Sequence, residues 1–227
     1  MPSLFITGTN TGIGKTFIST LLLRAFNNAG YQTFGIKPIS CGCSYNKEQQ
    51  LVNDDALLLQ KTASLYRPYE VVNPLIFEEP IAPNIAAAQE KIPLTKSIVK
   101  DSILSSIQVE ADINLIEGAG GWAVPLNDHE LFSDAIADLK LPVILVVGMK
   151  LGCLNDAILT YRDITARTNV PFIGWIANCL EPNMLVPQEN IHTLQTWIKQ
   201  PCLGVVPYQC NTLDVLDTTY IAQYLLQ

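Results

Sequence analysis

Residues 8–16 read "GTNTGIGKT", preceded by the apolar run "LFIT" at 4–7 and followed by "FISTLLLRAF" at 17–26. A loop carrying Gly8, Gly12 and Gly14 between an apolar strand and a helix that opens at Lys15 is the setting a phosphate cradle requires. Glycine lets backbone N–H groups turn inward, and the start of a helix adds positive potential. Lys15 can reach β- and γ-phosphates, and Thr16 offers a hydroxyl to Mg²⁺. The spacing departs from G-x-x-x-x-G-K-[ST], which would put the first glycine at position 9. That residue is Thr9, and the glycine stands one step earlier, at Gly8. A dinucleotide fingerprint fails here, because Gly12-Ile13-Gly14 is followed by Lys15, Thr16 and Phe17 with no third glycine.

Outward from this stretch, short runs rich in Val and Ile predict buried strands at Leu4–Thr7, Thr33–Lys37, Ile113–Glu117, Val143–Val147 and Phe172–Ala177, with a weaker one at Leu203–Val206. Helix-length segments lie between them: Lys15–Ala29, Asp54–Thr62, Thr95–Gln108, Leu131–Leu139, Leu154–Arg167 and Gln188–Lys199. This alternation predicts an α/β chain, one P-loop ATPase-type domain over 1–227, with a mainly parallel sheet and helices on both faces. Residues 41–53 and 66–84 have weak periodicity and several prolines, so they are expected as loops at the ligand edge.

The bulk composition fits. Hydrophobic residues make up 48% of the 227 positions and charged residues 15%, the balance of a large core around a two-sided sheet. A formal net charge of -7 with no basic run excludes a nucleic-acid surface, so anionic ligands must be captured by a few lysines and backbone amides. The six cysteines form no C-x-x-C pair and the two histidines, His129 and His192, are far apart, which excludes a zinc-site spacing and any Cys-His or Ser-His-Asp constellation. No stretch is apolar for long enough to span a membrane, and "MPSLFITG" lacks the form of a signal peptide. A soluble cytoplasmic protein with reduced thiols is expected.

In such sheets ligands gather beyond the carboxyl ends of the strands. "KPISCG" follows the second strand, "EGAGGW" the third, "GMKLGCLN" the fourth and "NC" the fifth, so five strand ends should converge on one rim. Lys37, on the second, reads either as a solvated charge or as a second cation on the phosphates. Asp54 and Asp55 open a helix, where one could be only an N-cap. Glu117 occupies the place of a strand-end acid that holds Mg²⁺ directly or through water, and Gly118, Gly120 and Gly121 let the backbone pass close to phosphates. Free amides at Gly152–Asn155 read either as a plain helix entry or as a carboxylate site, with Cys153 a packing residue.

Together these motifs resemble the ATP-dependent dethiobiotin synthetases, a family of P-loop ATPase fold. The resemblance runs through "FITGTNTGIGKT", "GIKP", "NDDALLLQ", "NPLIFEEPIAPNIAAAQE", "LIEGAGGW", "LPVILVVGMKLGCLN" and "GWIAN" to "LGVVPY", nearly all of residues 4–208. A P-loop with one extra residue between its glycines is typical of that family. The resemblance implies a ligase of biotin biosynthesis that joins CO₂ to the two amines of 7,8-diaminononanoate while ATP becomes ADP and phosphate, by way of a carbamate and a carbamic–phosphoric anhydride. It implies catalytic roles for Lys37, Lys15 and Thr11. Mg²⁺ would be held by Thr16, Asp55 and Glu117. The nucleotide would lie against Gly12 to Phe17 and Gly118, Ala119 and Gly120, with its base near Asn178, Cys179, Val206, Pro207 and Tyr208. Substrate contacts would fall to Ser40, Cys41, Gly152, Cys153, Leu154 and Asn155, the last four reaching from the second subunit of a homodimer.

Two positions depart from the family. It commonly carries Glu where this chain has Gly12, and often Ser where it has Cys41 beside Ser40; a thiol is the weaker hydrogen-bond partner. A switch ATPase of the partitioning or division-site type shares the fold but carries a lysine early in the P-loop, where this chain has Thr9, Asn10 and Thr11. A related amide-forming synthetase would usually add a glutaminase domain, for which the chain has no room.

Overall fold

The computed structural model describes residues 2–107 and 110–227. In chain order the elements are β1 (Ser3–Gly8), α1 (Lys15–Asn28), β2 (Thr33–Ile36), β3 (Ile39–Ser40), β4 (Ser44–Tyr45), β5 (Leu51–Val52), α2 (Asp54–Thr62), α3 (Tyr69–Val72), β6 (Leu75–Ile76), α4 (Pro83–Glu90) and α5 (Lys96–Ser106). There follow β7 (Ile113–Glu117), α6 (Phe132–Leu139), β8 (Val143–Met149), α7 (Cys153–Ala166), β9 (Phe172–Cys179), α8 (Pro187–Trp197), β10 (Cys202–Val206) and α9 (Thr218–Leu226).

Six strands form one sheet in the order β10-β9-β8-β1-β7-β2, and every pairing in it is parallel. All the carboxyl ends therefore lie on one rim. Side chains alternate between two apolar layers. Leu4, Ile6, Ile144 and Val146 pack on one face beneath Ile18 and Leu22 of α1 and Ile221 of α9. Phe5, Val143, Leu145 and Val147 pack on the other with Val99 and Ile103 of α5, Ile136 of α6 and Ile164 of α7. Each such side chain contributes about 1.5–3 kcal/mol on leaving water. β8 is buried along its whole length, which explains why it reads as an unbroken apolar run rather than an alternating one.

The expected core strands and helices are present, with ends shifted by a residue or two. β2 stops at Ile36, so Lys37 lies just past it, while β8 and β9 run on to Met149 and Cys179. The helix expected at Thr95–Gln108 is capped by Thr95 and ends at Ser106; Gln108 lies outside the described residues. The two segments expected as loops are more ordered than that. Within 41–53, β4 and β5 form an antiparallel hairpin. Within 66–84 stand α3, β6 and the first turn of α4, and β6 pairs parallel with β3. Both α4 and α9 lie outside the helix-length segments read from the sequence. Among the described residues, no helix is long and apolar enough to cross a membrane.

Candidate functional site

The loop between β1 and α1 is built by its glycines. Gly12 and Gly14 have φ of 73° and 81°, in the left-handed region. Gly14 is also the N-cap of α1, and no side chain caps that helix, so its first amides remain free to meet an anion. Ile13 turns the other way: its side chain is fully buried and packs where Gly8 and Gly148 leave room for it. It can offer a ligand only its backbone.

Lys15, Thr16, Lys37, Asp55 and Glu117 meet at the mouth of this loop. Adjacent strand ends bring three of them together, since β7 lies between β1 and β2. Glu117 is fully buried, and its Oε1 accepts from Thr16 Oγ1 at 2.8 Å and from Lys37 Nζ at 2.7 Å. Asp55 Oδ2 lies 3.5 Å from the same ammonium. Asn53, not either aspartate, caps α2 by accepting from the Ala56 amide, which leaves Asp55 free to face Lys37. Burial alone would lower the Lys37 pKa, but the Glu117 and Asp55 carboxylates together hold it above its ordinary value. Lys37 is thus a paired internal cation and not a solvated strand-end charge.

Lys15 is in the opposite condition. It is 7% exposed, and among the described residues its Nζ donates only to the Asn10 carbonyl, at 3.2 Å. Burial first and the neighbouring Lys37 charge second pull its pKa from 10.5 down to about 8, against the opposing pull of Glu117 and Asp55. Lys15, with no carboxylate bound to it, is the cation of the pair that an anionic ligand would complete.

The site also suits a divalent ion. Glu117 Oε2 is buried with no hydrogen-bond partner, and the Thr16 hydroxyl, having given its proton to Oε1, turns lone pairs outward. Among the described residues no cluster of three or more His, Cys, Asp or Glu is present. Two carboxylates and a hydroxyl are instead the kind of partial set that Mg²⁺ completes with water and phosphate oxygens.

Beyond the cluster opens a cleft of about 640 Å³. Thr11, Lys37, Ser40, Cys41, Asp55 and Gly120 line it, together with the 80–83 segment. Burial pushes the Cys41 thiol up to about 11, with Cys43 and Glu90 adding to it, so Cys41 is a protonated wall residue. The glycine loop after β7 is anchored by Trp122, whose Nε1 donates to Asp163 at 2.6 Å. Arg167 lies over the same ring at 5.9 Å and binds Asp163 and Asp134, tying the loop to α6 and α7.

Asn178, near the end of β9, sits against the P-loop. Its Nδ2 donates to the Ile13 carbonyl at 2.8 Å, and a Cβ on Gly14 would collide with that same amide nitrogen. Val206 pairs beside it, with its side chain in the core, while Pro207 and Tyr208 follow on the surface and Cys179 is half-buried. Gly152, Cys153, Leu154 and Asn155 do not line the cleft. They form the exposed entry to α7, where Gly152 has φ 96° and no side chain caps the helix; Cys153 alone is buried, in packing. Asn10, Asn53, Tyr69, Asn73 and the 80–83 segment also belong to the site's surroundings; all but Tyr69 lie in stretches that carry the family resemblance, but none is singled out there as a site residue.

Comparison with known proteins extends this picture. A family model described as an AAA domain matches residues 2–213. The ATP-dependent dethiobiotin synthetase of Cellvibrio japonicus is 48% identical, covering 90% of this chain and 89% of its own length. That of Aeromonas salmonicida is 44% identical over 93% of each chain. Among solved structures, the MinC:MinD cell division complex of Aquifex aeolicus aligns with a TM-score of 0.58 at 14% identity, covering 100% of this chain and 96% of the other. A ParA family ATPase from Chlorobium tepidum gives 0.55 at 13%, covering 100% and 98%. At such identities these two likenesses concern the fold alone.

Proposed function

The chain belongs to the ATP-dependent dethiobiotin synthetase family, and from that premise we propose how its own side chains divide the work. It is a ligase that forms dethiobiotin with ATP in biotin biosynthesis. The observation that carries the division is the Thr16–Glu117–Lys37 cluster at the P-loop mouth, with one carboxylate oxygen left without a partner.

The substrates are 7,8-diaminononanoate and CO₂. One amine attacks CO₂ to give a carbamate, a carbamate oxygen attacks the γ-phosphorus as ADP leaves, and the second amine closes the ring and expels phosphate. Free amides of the Gly12–Thr16 turn cradle the phosphates, and the phosphates hold Lys15 in its charged form. Lys37 lies between phosphate and carbamate, where it stabilises charge on both; Thr11 lines the same cleft. Thr16, Asp55 and Glu117 hold Mg²⁺, which when bound neutralises charge on the phosphate oxygens. The Gly118–Gly120 backbone passes beside the phosphates, and Asn178 reads the base beside Cys179 and the Val206–Tyr208 turn. Positioning and charge suffice, and no nucleophile is asked of the protein.

The chain works as one domain and as a homodimer in the cytoplasm. The exposed Gly152–Asn155 entry and the fully exposed Leu151 beside it support the dimer, because that entry does not line the cleft of its own protomer. A second copy would bring it to the outer end of the diamine, where free helix amides suit a carboxylate. The test is ADP release with Mg²⁺, ATP and bicarbonate, with and without the diamine, followed by mass analysis. Diamine-dependent ADP and a product heavier by one carbonyl are expected. Hydrolysis indifferent to the diamine would refute the reading.

A further inference from the structure

Beneath the cleft lies a buried polar chain whose inner members, Asn73 and Tyr69, have no part in the roles above. Asn73 is 2% exposed. Its Oδ1 accepts from Ser40 Oγ at 2.6 Å and from Tyr69 OH at 2.8 Å, and its Nδ2 donates to the Lys37 carbonyl at 2.6 Å. Tyr69 OH in turn accepts from the Asn53 amide at 2.7 Å.

Two backbone groups at the ends of this chain fix every proton in it. The Asn53 N–H can only donate, so Tyr69 OH accepts there and sends its own proton to Asn73. The Lys37 carbonyl can only accept, so the Asn73 amide must face it with nitrogen, which turns Oδ1 toward Ser40 and Tyr69. With Oδ1 an acceptor, the Ser40 hydroxyl has to donate to it. The Cys43 thiol, 3.2 Å away, can occupy at most one Ser40 lone pair. Ser40 lines the cleft and has no proton left to give to it.

We propose that Asn73 is a positioning residue that fixes Ser40 Oγ as a hydrogen-bond acceptor for an N–H of the diamine. A free serine accepts or donates with equal ease; this one is committed to accept. The consequence is selectivity for a donor at that point of the substrate, which an amine supplies and an ether or carbonyl oxygen does not. Cys41, the neighbouring wall residue, offers a much weaker partner. The same amide holds the main chain of Lys37, so the cation and the acceptor are set in one register. This inference rests on the synthetase reading and deepens its substrate site.

The test is steady-state kinetics of Ser40→Ala, Asn73→Ala and the double variant, with KM read separately for diamine and ATP. Ser40→Ala raises the diamine KM about tenfold, the loss of one good hydrogen bond, and leaves the ATP KM within about twofold. Asn73→Ala, which releases the hydroxyl proton toward the cleft, raises the diamine KM by a similar factor. The double variant shows no more than either alone, because Asn73 acts through Ser40. If Asn73→Ala fails to fold, Asn73→Leu keeps the volume and repeats the measurement. A diamine KM unchanged in Ser40→Ala, in an enzyme whose wild type shows diamine-dependent ADP release, overturns this inference alone. Factors that multiply in the double variant overturn the link through Ser40. A wild type without diamine-dependent ADP release overturns the synthetase reading and this inference with it.

Discussion

Lys15→Met should change how the protein's stability responds to alkali. In the folded chain the Lys15 ammonium is buried, near Lys37, with a single carbonyl as hydrogen-bond partner, and its pKa falls from 10.5 to about 8. Below about pH 8 both states carry the proton, and the native state bears the cost of a desolvated charge. Above 10.5 both have lost it and that cost is gone. Between the two, the unfolded chain still holds a proton the native chain has released, so native stability rises with pH. At about 1.4 kcal/mol for each tenfold in proton affinity, the window is worth about 3 kcal/mol. Other groups titrate in the same range, so the quantity to read is a difference. Urea unfolding of wild type and Lys15→Met from pH 7.5 to 10.5 should show the wild type gaining about 3 kcal/mol on the variant. Saturating Mg²⁺–ATP should abolish the gain, because phosphates stabilise the charged form. A difference that stays flat across the window would mean that the ammonium is solvated, and the account of the phosphate site built on it would fall.

Glu117→Gln removes the charge partner 2.7 Å from a buried ammonium and leaves only Asp55; a stability loss of about 3 kcal/mol by urea is expected, and less than 1 would refute the pairing. The same variant should need at least about tenfold more Mg²⁺ for half-maximal turnover. Gly14→Ala forces a left-handed φ of 81° on a residue with a Cβ and drives that Cβ into Asn178, costing about 1–2 kcal/mol. Its KM for ATP should rise, and adding Asn178→Ala should recover part of the lost stability if the collision is the cause. Trp122→Phe loses the bond to Asp163; calorimetry should show about 1 kcal/mol lost, with ATP turnover reduced as the glycine loop loosens.

The sheet was legible because its strands are buried on both faces. "VILVVGM" is apolar without interruption, which only burial tolerates, and "INLIE" is buried throughout although it carries Asn114 and Glu117. The two-residue strands β3 to β6 carry no periodicity to detect, and "PNIAAAQE" has a helix hidden behind prolines that serve its first turn. At the site, Lys15, Thr16 and Glu117 could be singled out because Lys15 and Thr16 open the helix after a glycine loop and Glu117 ends a strand, so the pattern is local. Asp55 left a choice, which Asn53 resolves by taking the cap. No individual role could be read for Asn73, although it opens the quoted stretch "NPLIFEEP", and nothing marked Tyr69. Their meaning comes from the β3–β6 pairing, which brings residues 69–76 under Lys37 and Ser40, and a lone Asn before Pro in a sequence signals only a turn.

The order β1-β7-β2 has a consequence for how the protein comes into being. Ser3 pairs with Asn114 and Ile36 with Ile116, so the cluster of Lys15, Lys37 and Glu117 exists only after β7 has inserted between two strands made much earlier in the chain. Closing loops of that length is slow, whereas α1 and its P-loop turn need only neighbours. During synthesis the phosphate loop can take shape while the acid that completes it is still unmade. In refolding, recovery of helical signal should precede recovery of catalysis, and the insertion of one central strand is the step that separates them.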